Sequence, residues 1–143
     1  METTPTTKTR RRNRVVIGAA GAALTLSLAG GAGYWWHERN QASQASAADC
    51  RMARTIITEA QQVSAGPAPE AEKWERRTAQ RRRTEMEDGY LGYNIAQYES
   101  WAVLTAQKSP EAPSAEDVRD LQDKARGHCA DSGVSLTMPP LGA

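Results

Sequence analysis

The apolar and polar positions of this chain follow two different rules on either side of residue 36. Residues 15–33, VVIGAAGAALTLSLAGGAG, carry no charge and show no polar face, and Tyr34, Trp35 and Trp36 close the run before the polar HERNQ. Val15 to Trp36 spans 22 residues, and a helix needs about 20 mostly apolar residues to cross a bilayer core. Beyond this run the apolar residues no longer come in a block. They recur at helical spacing.

Ser46-Ala-Ala-Asp49 is a capping-box pattern and starts a helix. Cys50, Ala53, Ile56, Ile57, Ala60 and Val63 then fall on one face. Ser64-Ala-Gly-Pro-Ala-Pro69 stops that helix. Residues 70–108 contain no Pro and are rich in Glu, Ala, Arg and Gln, which predicts a long helix. Its first half has a thin apolar face, Ala71, Trp74, Thr78 and Met86, and opposite charges four apart at Glu72–Arg76, Arg81–Glu85 and Arg83–Glu87. Its second half is more apolar, with Leu91, Ile95, Tyr98 and Ala102 on one face. Gly92, Ala96 and Ser100 form a strip of small residues beside them, where another helix backbone is expected to come close. Gly89 is the weak point, because Gly inside a helix costs about 1 kcal/mol relative to Ala.

Residues 109–113, SPEAP, interrupt the chain, and Ser114-Ala-Glu-Asp117 is a second capping-box start. Val118, Leu121, Ala125 and Cys129 make the stripe of a last helix, with Gly133 at the expected C-terminal cap. There is no strand-like alternation of useful length and no internal repeat. The class is therefore all-α, and the organisation has five parts: a basic flank over 1–14, a transmembrane or signal segment over 15–36, a tether over 37–46, a helical domain over 47–133 and a flexible tail over 134–143.

Cys50 and Cys129 are the two cysteines, each on an apolar stripe, and a disulfide between them is the natural reading outside the membrane. The bond restricts topology. In an up-down-up bundle with one middle helix the two residues would lie about 25 Å apart by helix rise, whereas a disulfide needs Cα atoms within about 7 Å. Two layouts satisfy it. In one, a single unbroken middle helix about 60 Å long carries two short helices that meet near its centre. In the other, a break near Gly89 gives a four-helix up-down-up-down bundle. The absence of Pro favours the unbroken helix.

Charge fixes orientation. Residues 1–14 hold five basic residues against Glu2, a net +4, and the remaining thirteen basic and sixteen acidic residues leave the rest at −3. Basic residues stay on the cytoplasmic side and Trp and Tyr favour the membrane interface, so the N-terminus is expected inside and the helical domain outside. The length of the run and its aromatic end favour an uncut single-pass anchor in the cell membrane. The alternative is a cleaved signal peptide and a freely secreted domain that acts as a structural or inhibitory factor, with small-x-small sites at Ala29-Gly30-Gly31 and Ala45-Ser46-Ala47. No Cys follows the run in a lipobox, and Asn13 and Arg14 stand where a twin-arginine signal wants apolar residues. The acidic balance beyond residue 14 argues against nucleic acid as a partner. The expected partners are the membrane, through residues 15–36, and a protein or envelope component.

Candidate chemistry is sparse. Arg76, Arg77, Arg81, Arg82 and Arg83 are a possible interaction surface for an anionic lipid or wall polymer, although a solvated, salt-bridged helix face is the ordinary explanation. Tyr90, Tyr93, Tyr98 and Trp101 offer stacking surfaces, but core packing is commoner. Two Cys with His37 and His128 lack the paired spacings of zinc sites. Glu85, Glu87 and Asp88 on a charged helix do not make an acid–base pair, and no nucleophile–base set is present. No catalytic, metal or cofactor residue is assigned, and the expected role is a non-enzymatic binding or structural module of the cell envelope.

Overall fold

A computed structural model of the chain describes residues 43–142. The basic flank and the transmembrane or signal segment, together with residues 37–42 of the tether, lie outside the described residues. Within them, no helix is long and apolar enough to cross a membrane.

Four helices make up the domain: α1 (Ala47–Ser64), α2 (Ala68–Glu85), α3 (Gly89–Ala106) and α4 (Ala115–His128). Each start follows from its cap. Ser46 Oγ accepts from Asp49 N at 3.0 Å, Pro67 precedes α2 with Pro69 in its first turn, and Ser114 and Asp117 form a reciprocal capping box at α4. The Ser46 pattern forms only half of its box. Asp49 turns instead to the α2–α3 corner, where its Oδ2 accepts from Glu87 N at 3.1 Å and Asp88 N at 2.9 Å.

That corner corrects the expectation of one unbroken middle helix. The helix ends at Glu85, and Met86, Glu87 and Asp88 leave helical geometry before α3 begins at Gly89. Asp88 is the new N-cap, accepting from Leu91 N at 2.8 Å. Two carboxylates thus bind backbone donors that an unbroken helix would bond internally, and Gly89 sits at the first helical position, where its helical penalty weighs least.

The result is the up-down-up-down arrangement. The start of α1, the α2–α3 corner and the end of α4 share one end, as the Asp49 bonds and the Cys50–Cys129 link require. At the opposite end, Gln107 after α3 bonds Glu72 at the start of α2. Helix α3 packs on the other three helices, and α1 also packs on α2. Among the helices, α4 touches α3 alone. The apolar stripes become the core: Cys50, Ala53, Ile56, Ile57 and Ala60 with Trp74, Leu91, Ile95, Tyr98, Ala102, Val118, Leu121, Ala125 and Cys129. The strip of small residues does not act as one, since Gly92 is buried but Ser100 is exposed.

Residues 134–142 are not a flexible tail. Val134, Leu136 and Met138 alternate with Ser135 and Thr137, and Leu136 and Met138 are buried. Met138 N donates to Gln122 on α4, Tyr98 Oη on α3 donates to Pro139 O, and Gly142 N donates to Ser64 Oγ on α1. The segment therefore ties α4 to α3 and to α1, a helix α4 does not itself touch. Burial pushes the Tyr98 phenol up to about 12. Gly133 does not cap α4, which ends at His128 with Cys129 as its cap. Gly133 serves the turn that follows, at φ +72°, a conformation in which Gly carries no Cβ penalty.

The last tether residues are equally part of the domain. Ala45 is buried and its N–H donates to His128 O at 2.8 Å. The His128 ring bonds both the carbonyl and the hydroxyl of Ser43.

Candidate functional site

The five arginines on α2 do not form one surface. Arg82 turns inward, with its Nη2 at 3.0 Å and its Nε at 3.1 Å from Oε2 of Glu99, a carboxylate only 1% exposed. Both contacts fall on one oxygen, and Oε1 has no hydrogen-bond partner among the described residues. Burial raises the Glu99 carboxyl above its ordinary range, and the Arg82 guanidinium opposes that rise without cancelling it. This pair joins α2 to α3 and is structural. Arg76 and Arg83 are exposed.

Arg77 and Arg81, one helical turn apart, line a cleft of about 430 Å³ between α1 and α2. Glu59, Gln62 and Val63 form its α1 wall, and Trp74 and Thr78 its α2 floor. The spacing follows from helix geometry, because residues three and four apart share a face. Trp74 is nearly buried, and its indole Nε1 donates to Glu59 Oε2 at 2.8 Å, which fixes both walls. Thr78 donates to Trp74 O and Glu75 O within its own helix. The groups that line the cleft and face a ligand are the two guanidiniums, the Gln62 amide and the second carboxylate oxygen of Glu59, whose Oε2 is taken by Trp74. Arg81 reaches Glu85 only at 3.8 Å, with both side chains substantially exposed, a weak surface pair. Two guanidinium forks above an apolar floor suit a carboxylate or phosphate, which Arg binds through paired hydrogen bonds. Sequence reasoning singled out the two arginines but missed Glu59, Gln62, Trp74 and Thr78 as their companions. The signal was the shared face of 74, 77, 78 and 81.

The aromatic group also divides. Tyr98 is core and Trp101 packs against it, whereas Tyr90 and Tyr93 are 72% and 71% exposed. With Gly89 they line a shallow apolar depression at the start of α3. The Tyr90 ring stacks on His128 with centroids 6.1 Å apart and planes within 3°. Asp88 lies beside them. Burial alone would raise its carboxyl, but the Leu91 N–H, the Ser43 side chain and the His128 charge outweigh that and hold it below the ordinary value.

Cys50 and Cys129 are bonded to each other, with Cα atoms 5.9 Å apart. Among the described residues no three His, Cys, Asp or Glu side chains gather as they would around a metal ion, and His37 lies outside them. Comparisons with protein-family models, curated proteins and solved structures return no match for this chain.

Proposed function

We propose that this chain is a non-enzymatic binding module of the cell envelope. In this reading residues 15–36 anchor it in the membrane with the N-terminus cytoplasmic, and the α1–α2 cleft takes an anionic segment of a protein or wall component. The observation that carries the extracytoplasmic placement is the Cys50–Cys129 pair. A structural disulfide suits an oxidising compartment, and it follows in the same chain a net +4 flank and an uncharged run of membrane length. Arg77 and Arg81 at the mouth of the cleft support an anionic ligand.

Protease added to intact spheroplasts should digest the helical domain, and full protection of the domain would sink the orientation. Binding is tested by retention of the detergent-solubilised full chain on isolated cell-wall material. Retention should fall with salt and be lost in Arg77→Glu/Arg81→Glu, with the fold preserved by circular dichroism. Unchanged retention in that variant moves the site elsewhere.

Secretion after cleavage is the second reading, favoured by Ala29-Gly30-Gly31. A cut there leaves the domain whole, whereas a cut after Ala47 would remove the Ser46 cap and the Ala45–His128 bond. A mature chain starting between Gly31 and Ala48 would establish secretion.

A further inference from the structure

Tyr90 and Tyr93 are the large hydrophobic side chains left exposed among the described residues, and both sit at one end of the bundle. That end is also where the described chain begins. Tyr90 stacks on His128, and the His128 ring is bonded to Ser43. Only residues 37–42 separate Ser43 from Trp36, the last aromatic of the apolar run. Fully extended, that stretch reaches about 25 Å. If residues 15–36 are an anchor, the end of the domain that carries the tyrosines is therefore the end held near the membrane.

We propose that Tyr90 and Tyr93 seat this end of the domain on the headgroup region of the bilayer, a reading that rests on the anchor proposed above. The chemistry fits the interface. A tyrosine ring is apolar with a polar tip, and such side chains concentrate where hydrocarbon gives way to water. The neighbouring acids shape the fit as well. The Asp88 carboxylate is committed to Leu91 N, and exposed Glu87 favours contact with the ammonium groups of zwitterionic headgroups. A second copy of the chain fits less well. Two tyrosines offer only about 300 Å² of exposed ring surface, well short of the roughly 800 Å² per partner of a stable protein interface.

The seat has a consequence for the cleft. Glu59 lies thirteen residues along α1 from Ser46, about 20 Å by helix rise. A domain seated on its tyrosines holds the α1–α2 cleft away from the lipid and open to the envelope.

The chain contains four tyrosines, and they report separately: Tyr34 in the apolar run, Tyr90 and Tyr93 at the seat, and Tyr98 in the core. The test is the ring-labelled full chain in phosphatidylcholine nanodiscs carrying a headgroup nitroxide, observed by NMR. Broadening of the Tyr34, Tyr90 and Tyr93 rings and of the His128 ring stacked on Tyr90, with Tyr98 spared, is the expected result. In Tyr90→Ser/Tyr93→Ser the broadening at His128 should be lost while that at Tyr34 stays. If Tyr34 is broadened but Tyr90 and Tyr93 are no more affected than Tyr98, the anchor stands and the seat is overturned. If the chain is extracted by alkaline carbonate and no tyrosine is broadened, anchor and seat fall together. Protection of the two rings without broadening, dependent on the number of copies per disc, would assign the patch to a second copy and overturn the lipid seat.

Discussion

Asp49 shows how one side chain can decide between two folds. Its position predicts a helix start, and it does stand in the first turn of α1, yet its carboxylate is spent on Glu87 N and Asp88 N, nearly forty residues away. Hydrogen bonds to a charged acceptor contribute about 1.5–3 kcal/mol each. Asp49→Ala, which removes both, should therefore cost about 3–6 kcal/mol in urea unfolding, and a loss no larger than that of the exposed control Asp120→Ala would show that the corner holds without it. Glu99 is the opposite case. Its folded carboxyl is raised, burial being the larger cause and Arg82 the opposing one. The folded state then binds a proton more readily than the unfolded chain, so the ionised group weighs against folding at neutral pH, and this burden is relieved as pH falls through the raised value towards the ordinary 4.5. Relative to Glu99→Gln, the natural chain should gain stability between neutral pH and about 4.5 and show no further change below it. Chemical denaturation of both proteins across that range checks the sign. A relative loss on acidification would mean that Arg82 dominates the site. Asp88 runs the other way, since its lowered carboxyl supports folding above the ordinary value and that support is lost as pH drops through the folded one.

At the scale of elements, the stripes of α1, α3 and α4 were legible because each apolar residue recurs at helical spacing and one face suffices to identify the core. The α2–α3 corner was not, although the dipeptide Asp88-Gly89 carried a signal: an N-cap residue followed by the least helical of the ordinary residues. The Asp49 carboxylate that binds the corner is a long-range contact that no local window contains. The same limit hid the C-terminal segment. Val134, Leu136 and Met138 alternate too briefly to announce a strand, and they form none; they lie extended against three helices. If this segment is core, Leu136→Ala should cost about 2–5 kcal/mol, whereas a residue on a loose tail would fall within about 0.5 kcal/mol of the natural chain. Thermal unfolding separates the two. The end of α3 offers a gain. Lys108 is held at φ 54°, with its N–H on Thr105 O and Ser109 N on Leu104 O, the paired bonds of a Schellman cap. A left-handed residue with a Cβ costs about 1–2 kcal/mol, of which Gly returns part as chain entropy. Lys108→Gly should raise stability by about 0.5–1 kcal/mol; a decrease would mean that the lysine side chain makes a compensating contact.

For the whole molecule, the disulfide was the most informative inference from sequence, because two stripe cysteines and a distance limit excluded the plain three-helix layout. The candidate cleft was only half legible: its arginines stood out by charge, but which of the five faced outward depended on Glu99, a carboxylate that reads as an ordinary helix residue. The bond closes a loop of 79 residues, worth about 4 kcal/mol in the chain-entropy model, and it holds the end of α4, whose one helix partner among the described residues is α3. Cys50→Ser, Cys129→Ser and the double variant should all lose about the same stability, on the order of 4 kcal/mol. Losses that add instead would mean that each cysteine contributes by packing alone.

The two cysteines are also the only two in the chain, so the oxidised domain has a single intramolecular pairing open to it. Its maturation needs an oxidant but no isomerase, because there is no wrong bond within one molecule to rearrange. The hazard lies between molecules and is one of timing. Cys50 emerges from the ribosome 79 residues ahead of its partner, a delay on the order of ten seconds at ordinary rates of synthesis. During that interval its thiol has no partner within its own chain, so crowded production should yield chains linked to one another by disulfides.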